Sequence, residues 1–287
     1  MTETSPLGIF AGAGDMPLRI AAAAQSAGRG VRGVLLEGFA DPRAWASYRT
    51  ITLRLGALGS SVEWLRREGV RDLVLTGQVR RPSFLTLFPD AASAKYIARI
   101  GKRAFQGDDG LLSALRDVLR EEGFSLIGPN AVLGGLQAPP GLLTRAAPDG
   151  TALADIARGV LVVKALGALD VGQGAVVQQG LVLGVEAFEG TDALIARCGA
   201  LRRDGPAGVL VKLVKPGQDR NLDLPTLGPA TVHAAAAAGL RGIAFEAGGA
   251  LLVEADEAVR LADEAGMFLL AIRPDDHVGA ATPGAAP

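Results

Sequence analysis

Short apolar runs and amphipathic stretches alternate along the first half of the chain: LGIF, MPLRIAAAAQSAG, VRGVLLE, GSSVEWLRREG and RDLVLTG, in that order. An unbroken apolar run is what a strand buried on both faces requires, and apolar positions three or four apart mark a helix that covers one face. Together they predict βαβαβ, a parallel sheet covered by helices. A Pro-bounded excursion, RRPSFLTLFPD, follows, then a helix in ASAKYIARIGKRAF and a second in DDGLLSALRDVLREEG. In the latter Leu111, Leu112, Leu115, Val118 and Leu119 share a face, Asp108 is placed to cap it and Gly123 to stop it. FSLIG supplies one more short strand.

From Pro129 to Gly150 the sequence carries four prolines and no period, the mark of a connection between domains. The expected organisation is a Rossmann-like N-terminal domain over 1–130, a linker over 131–150, a C-terminal α/β domain over 151–274 and a flexible tail over 275–287. The second domain opens with a helix, TALADIARGVLVVKALG. GAVVQQGLVLGVEAFEG reads as a hairpin turning at Gln179-Gly180, GTDALIARCGAL as a short helix and GVLVKLVKP as a strand. The remainder reads helix, strand, short strand, helix, strand. The fold class is therefore α/β, a parallel-sheet domain joined to a distinct mixed α/β domain.

Composition narrows the chemistry. The 287 residues are about twice a domain of ~150, in keeping with two units. Twenty-nine basic and 30 acidic residues leave a net charge of -1, so no overall field suits nucleic acid, and an anionic ligand must be met locally. One cysteine, Cys198, excludes an intramolecular disulfide and reads as a small buried hydrophobe; with only His233 and His277 beside it no ordinary zinc site can form. His233, on an alanine-rich helix, reads as a packed, hydrogen-bonded residue more readily than as a base. A metal would be held by oxygen. Neither a signal peptide nor an apolar stretch of membrane-spanning length is present, so the expected location is cytoplasmic.

Three groups of residues could carry chemistry. In GIFAGAGDMP, Gly12, Ala13 and Gly14 lie between the first strand and a helix beginning near Pro17, where backbone amides can meet a phosphate; a purely structural tight turn is the alternative. The full dinucleotide fingerprint is missing its third glycine. TGQVRRP puts Gln78, Arg80 and Arg81 at the carboxyl edge of the sheet, either as a phosphate clamp or as solvated surface. In the second domain DVGQG, VEAFEGTDA and VKLVKPGQDRNLDLPTLG gather Gln173, Gly174, the acids Glu186, Glu189, Asp192, Asp219 and Asp223, and the bases Lys212, Lys215 and Arg220. Carboxylates suit a hard divalent cation and lysines suit phosphate oxygens. Asp223 is either aimed by the nearby proline or a turn-stabilising Asx residue, and Thr191 is equally well a helix N-cap.

Taken in order, GIFAGAGDMP, TGQVRRP, GDDGLL, LDVGQGAVVQQGLVLGVEAFEGTDALI, VLVKLVKPGQD and LDLPTLGPATV resemble the UDP-2,3-diacylglucosamine pyrophosphatase family of lipid A biosynthesis, the type unrelated to calcineurin-like phosphoesterases. The resemblance runs through nearly the whole chain. It implies a lipid substrate held between the two domains and Mg²⁺-dependent attack of water on the β-phosphate, releasing UMP and 2,3-diacylglucosamine 1-phosphate (lipid X). It also makes Asp223 essential for turnover and gives Thr191 and Asp192 phosphate or metal contact. The expected site is thus Asp223, Asp192, Thr191 and Lys215 for catalysis and Asp223, Glu189 and Asp192 for the metal. Gly12, Ala13, Gly14, Gln78, Arg80, Gln173, Gly174 and Lys212 are expected to bind substrate. Transient contact with a membrane surface and a homodimer are left open.

Overall fold

In the computed structural model the three apolar runs of the first half become parallel strands, β1 (Leu7–Ala11), β2 (Val31–Leu36) and β4 (Asp72–Thr76). The structure describes residues 5–79, 93, 96, 110–216, 218 and 224–278. RRPSFLTLFPD, most of the expected helix ASAKYIARIGKRAF and the proposed Asp108 cap lie outside those residues. The chain falls into two units, Met1–Gly134 and Gly135–Pro287.

The first unit has one parallel sheet in the order β3-β2-β1-β4-β5, with β3 (Arg49–Leu53) and β5 (Ser125–Leu126) at its edges. Strand alternation sends Leu7, Ile9 and Ala11 to one face, where they pack with Ile20, Ala21 and Ala24 of α1 (Met16–Ser26). Phe10, Val34 and Leu73 face the other way, against Val62 and Leu65 of α2 (Leu58–Arg67) and Val118 and Leu119 of α3 (Gly110–Glu121). β3 was not expected. Its RTITL sequence is a half-exposed edge with no continuous apolar run, and a 3-10 turn, Pro42–Trp45, rather than a helix precedes it.

The second unit is a three-layer α/β/α body. Its main sheet runs β6-β13-β11-β9-β7-β8, comprising β6 (Gly141–Leu142), β7 (Gly174–Gln178), β8 (Leu181–Val185), β9 (Val209–Lys212), β11 (Gly242–Glu246) and β13 (Phe268–Ile272). β9, β11 and β13 are mutually parallel, whereas β6 and the β7-β8 hairpin join antiparallel at the two edges. Between the positions β10 (Thr226–Leu227) and β12 (Leu251–Leu252) a small parallel pair forms. Val209, Val211 and Phe268 pack on α5 (Gly150–Ala168), which begins the unit's helices after the short α4 (Pro129–Leu133) of the first. Leu210, Ile243 and Leu269 pack on the opposite layer, built from α6 (Thr191–Gly199), α7 (Pro229–Ala237) and α8 (Ala255–Glu264).

The chain passes from one unit to the next within the stretch expected to be a linker, yet that stretch is not featureless. Pro129 starts the single turn of α4, and β6 pairs with β13. At the far end Pro274–His277 form a 3-10 turn, where Asp275 meets Lys164 at 2.6 Å.

One buried carboxylate fixes the hairpin. Asp155 of α5 is 1% exposed, and its two oxygens accept the backbone N–H of Gln179 at 3.0 Å and of Gly180 at 2.7 Å. Both turn residues have positive φ, 50° and 77°, as a two-residue type I′ turn requires. Replacing Asp155 by alanine removes two charge-assisted bonds, and urea unfolding is expected to show a loss of about 2–3 kcal/mol.

Candidate active site

β9 ends on a charge. Alternation that places Leu210 in the layer of α6 and α7 places Lys212, two residues on, on the same side, and Lys212 is only 5% exposed. An ammonium removed from water is unstable without partners. Thr191, the first residue of α6, supplies one, because Lys212 Nζ donates to Thr191 Oγ1 at 2.5 Å. Thr191 Oγ1 in turn donates to Glu186 Oε1 at 2.9 Å, just beyond β8. Burial pushes the Lys212 pKa below the usual lysine range, while the carboxylates of Glu186 and Asp192 work in the opposite direction. The N-cap position of α6 belongs to Gly190, and no side chain caps the helix, so the N-cap reading of Thr191 gives way to a role facing Lys212.

Glu186 was grouped with the acids of this region but not assigned to the site; only the position of a glutamate at a strand end hinted at it. Its backbone N–H donates to Gly174 O at 2.8 Å, and it is 6% exposed. The glycines of DVGQG make room for it. A Cβ on Gly172 would stand 2.0 Å from the Glu186 carbonyl oxygen, and one on Gly174 would stand 2.6 Å from Glu186 Oε2. Gly174 is therefore accounted for by packing against a side chain. Among the described residues Glu186 Oε2 and Gln173 Oε1 are buried and without a hydrogen-bond partner. The Gln173 carbonyl accepts from Leu213 N–H at 3.0 Å.

Three residues after Lys212, Lys215 is also 5% exposed and pairs with Asp170 Oδ1 at 2.9 Å. At the end of β11 the buried Glu246 accepts the N–H of Val214 at 3.1 Å. Asp192 is exposed in the first turn of α6. Glu189 turns elsewhere: its Oε1 takes two bonds from Arg197, at 2.8 and 3.2 Å. Its own backbone N–H and Arg197 hold that carboxyl below the usual range. Asp223, Asp219, Arg220 and Arg80 lie outside the described residues. Among those described, no three His, Cys, Asp or Glu side chains are grouped to hold a metal. His233 is exposed on α7 rather than packed, since Thr231, Val232 and Ala235 form that helix's buried face. Cys198 is fully buried, and burial pushes its thiol up.

In the first unit the glycine turn sits where the strand order reverses, between β1 and β4, which is the place where such sheets hold ligands. Two of its amides are already engaged. Gly12 N–H donates to Thr76 O at 2.9 Å, and Ala13 and Gln78 exchange two backbone bonds of 2.8 Å each. Gly14, at φ +92°, has open space where a Cβ would be. The structure thus brings Gly12, Ala13, Gly14 and Gln78 together, and in the other unit Thr191, Lys212 and Gly174.

A cavity of about 590 Å³ lies elsewhere in the second unit, between residues 135–139 and α8. Of its charged lining groups, Asp263 pairs with Arg145 and Arg260 with Glu257 and Glu264, while Asp256 is exposed at the start of α8.

Comparison with known proteins agrees with both units. The family model described as the LpxI N-terminal domain matches residues 6–136, and the one described as the LpxI C-terminal domain matches residues 139–270. UDP-2,3-diacylglucosamine pyrophosphatase LpxI of Caulobacter vibrioides is 40% identical over 277 residues, covering 94% of this chain and 99% of its own.

The stitched turn makes a sharp prediction. A Cβ on Gly77 would stand 2.7 Å from the Gly12 carbonyl carbon, and Gly77 has φ +93°. Gly77→Ala is expected to lower stability by about 2 kcal/mol or more through backbone strain and that clash together. Thermal unfolding of the purified variant reads it.

Proposed function

The chain belongs to the LpxI family, and from that we propose that it hydrolyses the pyrophosphate of UDP-2,3-diacylglucosamine in lipid A biosynthesis. The observation that carries the chemistry is the buried Lys212 ammonium, held by Thr191 at the carboxyl end of β9. A cation already stripped of water and fixed in place acts strongly on phosphate oxygens, because little of its field is screened and little reorganisation is needed. Of its three protons one goes to Thr191, and a phosphate oxygen is the natural acceptor for another. Lys215, held by Asp170, adds a second fixed positive charge.

In this reading water adds to the β-phosphorus as the bond from that phosphorus to the bridging oxygen breaks. UMP leaves and lipid X remains. Asp223 positions the attacking water or the metal. Magnesium, when bound, neutralises charge on the pyrophosphate. Such an ion would need only one or two protein carboxylates beside the substrate phosphates. Exposed Asp192 fits that demand, and with Asp223 it is the residue that would hold the ion; the carboxyl of Glu189 is engaged by Arg197 and by backbone N–H groups.

Purified protein with Mg²⁺ is expected to release UMP from the diacyl substrate, to stop with EDTA, and in ¹⁸O-water to place the label in the lipid phosphate. Asp223→Ala should remain folded and lose turnover. Tight binding that is insensitive to EDTA and gives no UMP would instead make the chain a nucleotide-sugar binding protein.

The Lys212 shift adds a pH prediction. The charged form is present below its folded pKa and lost above it, and burial lowers that pKa. Turnover should therefore fall on the alkaline side at a pH below the ordinary lysine value of about 10.4. Lys212→Arg, which keeps its charge throughout, should remove that limb even where its turnover is lower.

A further inference from the structure

We propose that Glu186 is a positioning residue for the reaction, acting through Thr191 to aim Lys212; this rests on the reading of Lys212 as the phosphate-facing cation. Donor and acceptor chemistry fixes the direction of the chain of bonds. An ammonium only donates, and an ionised carboxylate only accepts. The hydroxyl of Thr191 has one proton. It must receive a bond from Lys212 Nζ and give its proton to Glu186 Oε1, the two contacts of 2.5 and 2.9 Å.

Two consequences follow for the reaction. The one Thr191 proton is committed to Glu186 and is not available to a phosphate oxygen, so Thr191 serves the substrate through Lys212. Glu186 sets the rotation of that hydroxyl, and through it the direction of the remaining Lys212 protons. The surroundings hold Glu186 as firmly as a ligand would be held. Its N–H is bonded to Gly174, and Gly172 and Gly174 lie so close that a side chain at either position would displace it. Oε2 has no partner among the described residues, so the Thr191 bond is the one through which this buried carboxylate acts. A carboxylate placed only to neutralise Lys212 would have no need of a hydroxyl between the two.

A double-mutant cycle with Glu186→Met and Lys212→Met separates positioning from plain structural support. Glu186→Met has a similar length and no acceptor for Thr191, and it is expected to lower kcat about 10- to 100-fold, the usual penalty for a misaimed group, with KM changed less than about twofold. Glu186→Gln, whose amide oxygen can still accept from Thr191, should recover much of that loss. In the Lys212→Met background Glu186→Met should change kcat less than about twofold, because its effect is transmitted through Lys212. Independent losses that multiply in the double variant, or a Glu186→Met enzyme with wild-type kcat, overturn the proposal. Should Glu186→Met fail to fold, Thr191→Val breaks the same chain of bonds at an isosteric residue, and its cycle with Lys212→Met reads the same coupling. Wild-type protein that releases no UMP defeats the functional reading itself, which is a different result from an active enzyme without the coupling.

Discussion

An ammonium group buried at the end of a central strand has to be compensated where it lies. Much of the second unit can be understood from that requirement at Lys212. Strand alternation in β9 turns the side chain toward the layer of α6, so the first residue of that helix must offer an acceptor, and Thr191 does. A hydroxyl that accepts must also donate, and Glu186 receives its proton. Glu186 can occupy the space because residues 172 and 174 are glycines. The β7-β8 hairpin that presents Glu186 is itself anchored to α5 by Asp155. Charge, glycine spacing and helix start are thus parts of one solution, and its outcome is a fixed cation at the edge where phosphate chemistry is proposed.

The first unit solves a different problem. Its glycines let the loops after β1 and β4 approach until their backbones bond, which closes the switch point of the sheet. Gly12 and Ala13 give their N–H groups to protein carbonyls, so this turn has fewer amides for an anion than the bare pattern of glycines suggests. The two readings of the turn, phosphate cradle and structural junction, are not exclusive: Gly14 remains at its open side.

How much of this could be read in advance depended on the size of each signal. The buried strands β1, β2 and β4, the long α5 and the Gln179-Gly180 hairpin follow from runs, periods and turn chemistry that span many residues. β3, α4 and β6 escaped because an alternating half-exposed edge, one helical turn and a two-residue strand have no period to detect. At the site, the crowding of acids and bases at the strand ends was legible, and Lys212 and Thr191 were singled out. Their pairing was not, because side-chain neighbours across β7, β9 and α6 depend on register. The same holds for Asp155, which reads as an ordinary helical acid, and for Glu189, whose partner Arg197 lies two helical turns further on. Asp223 rests on the family resemblance, outside the described residues.

The central claim is that the phosphate chemistry takes place at Lys212. A crystal structure of the protein with the sugar 1-phosphate product tests it most directly. The account predicts a phosphate oxygen within about 3.2 Å of Lys212 Nζ, with the bond to Thr191 retained. A product phosphate bound elsewhere, with Lys212 enclosed by protein groups alone, would contradict it.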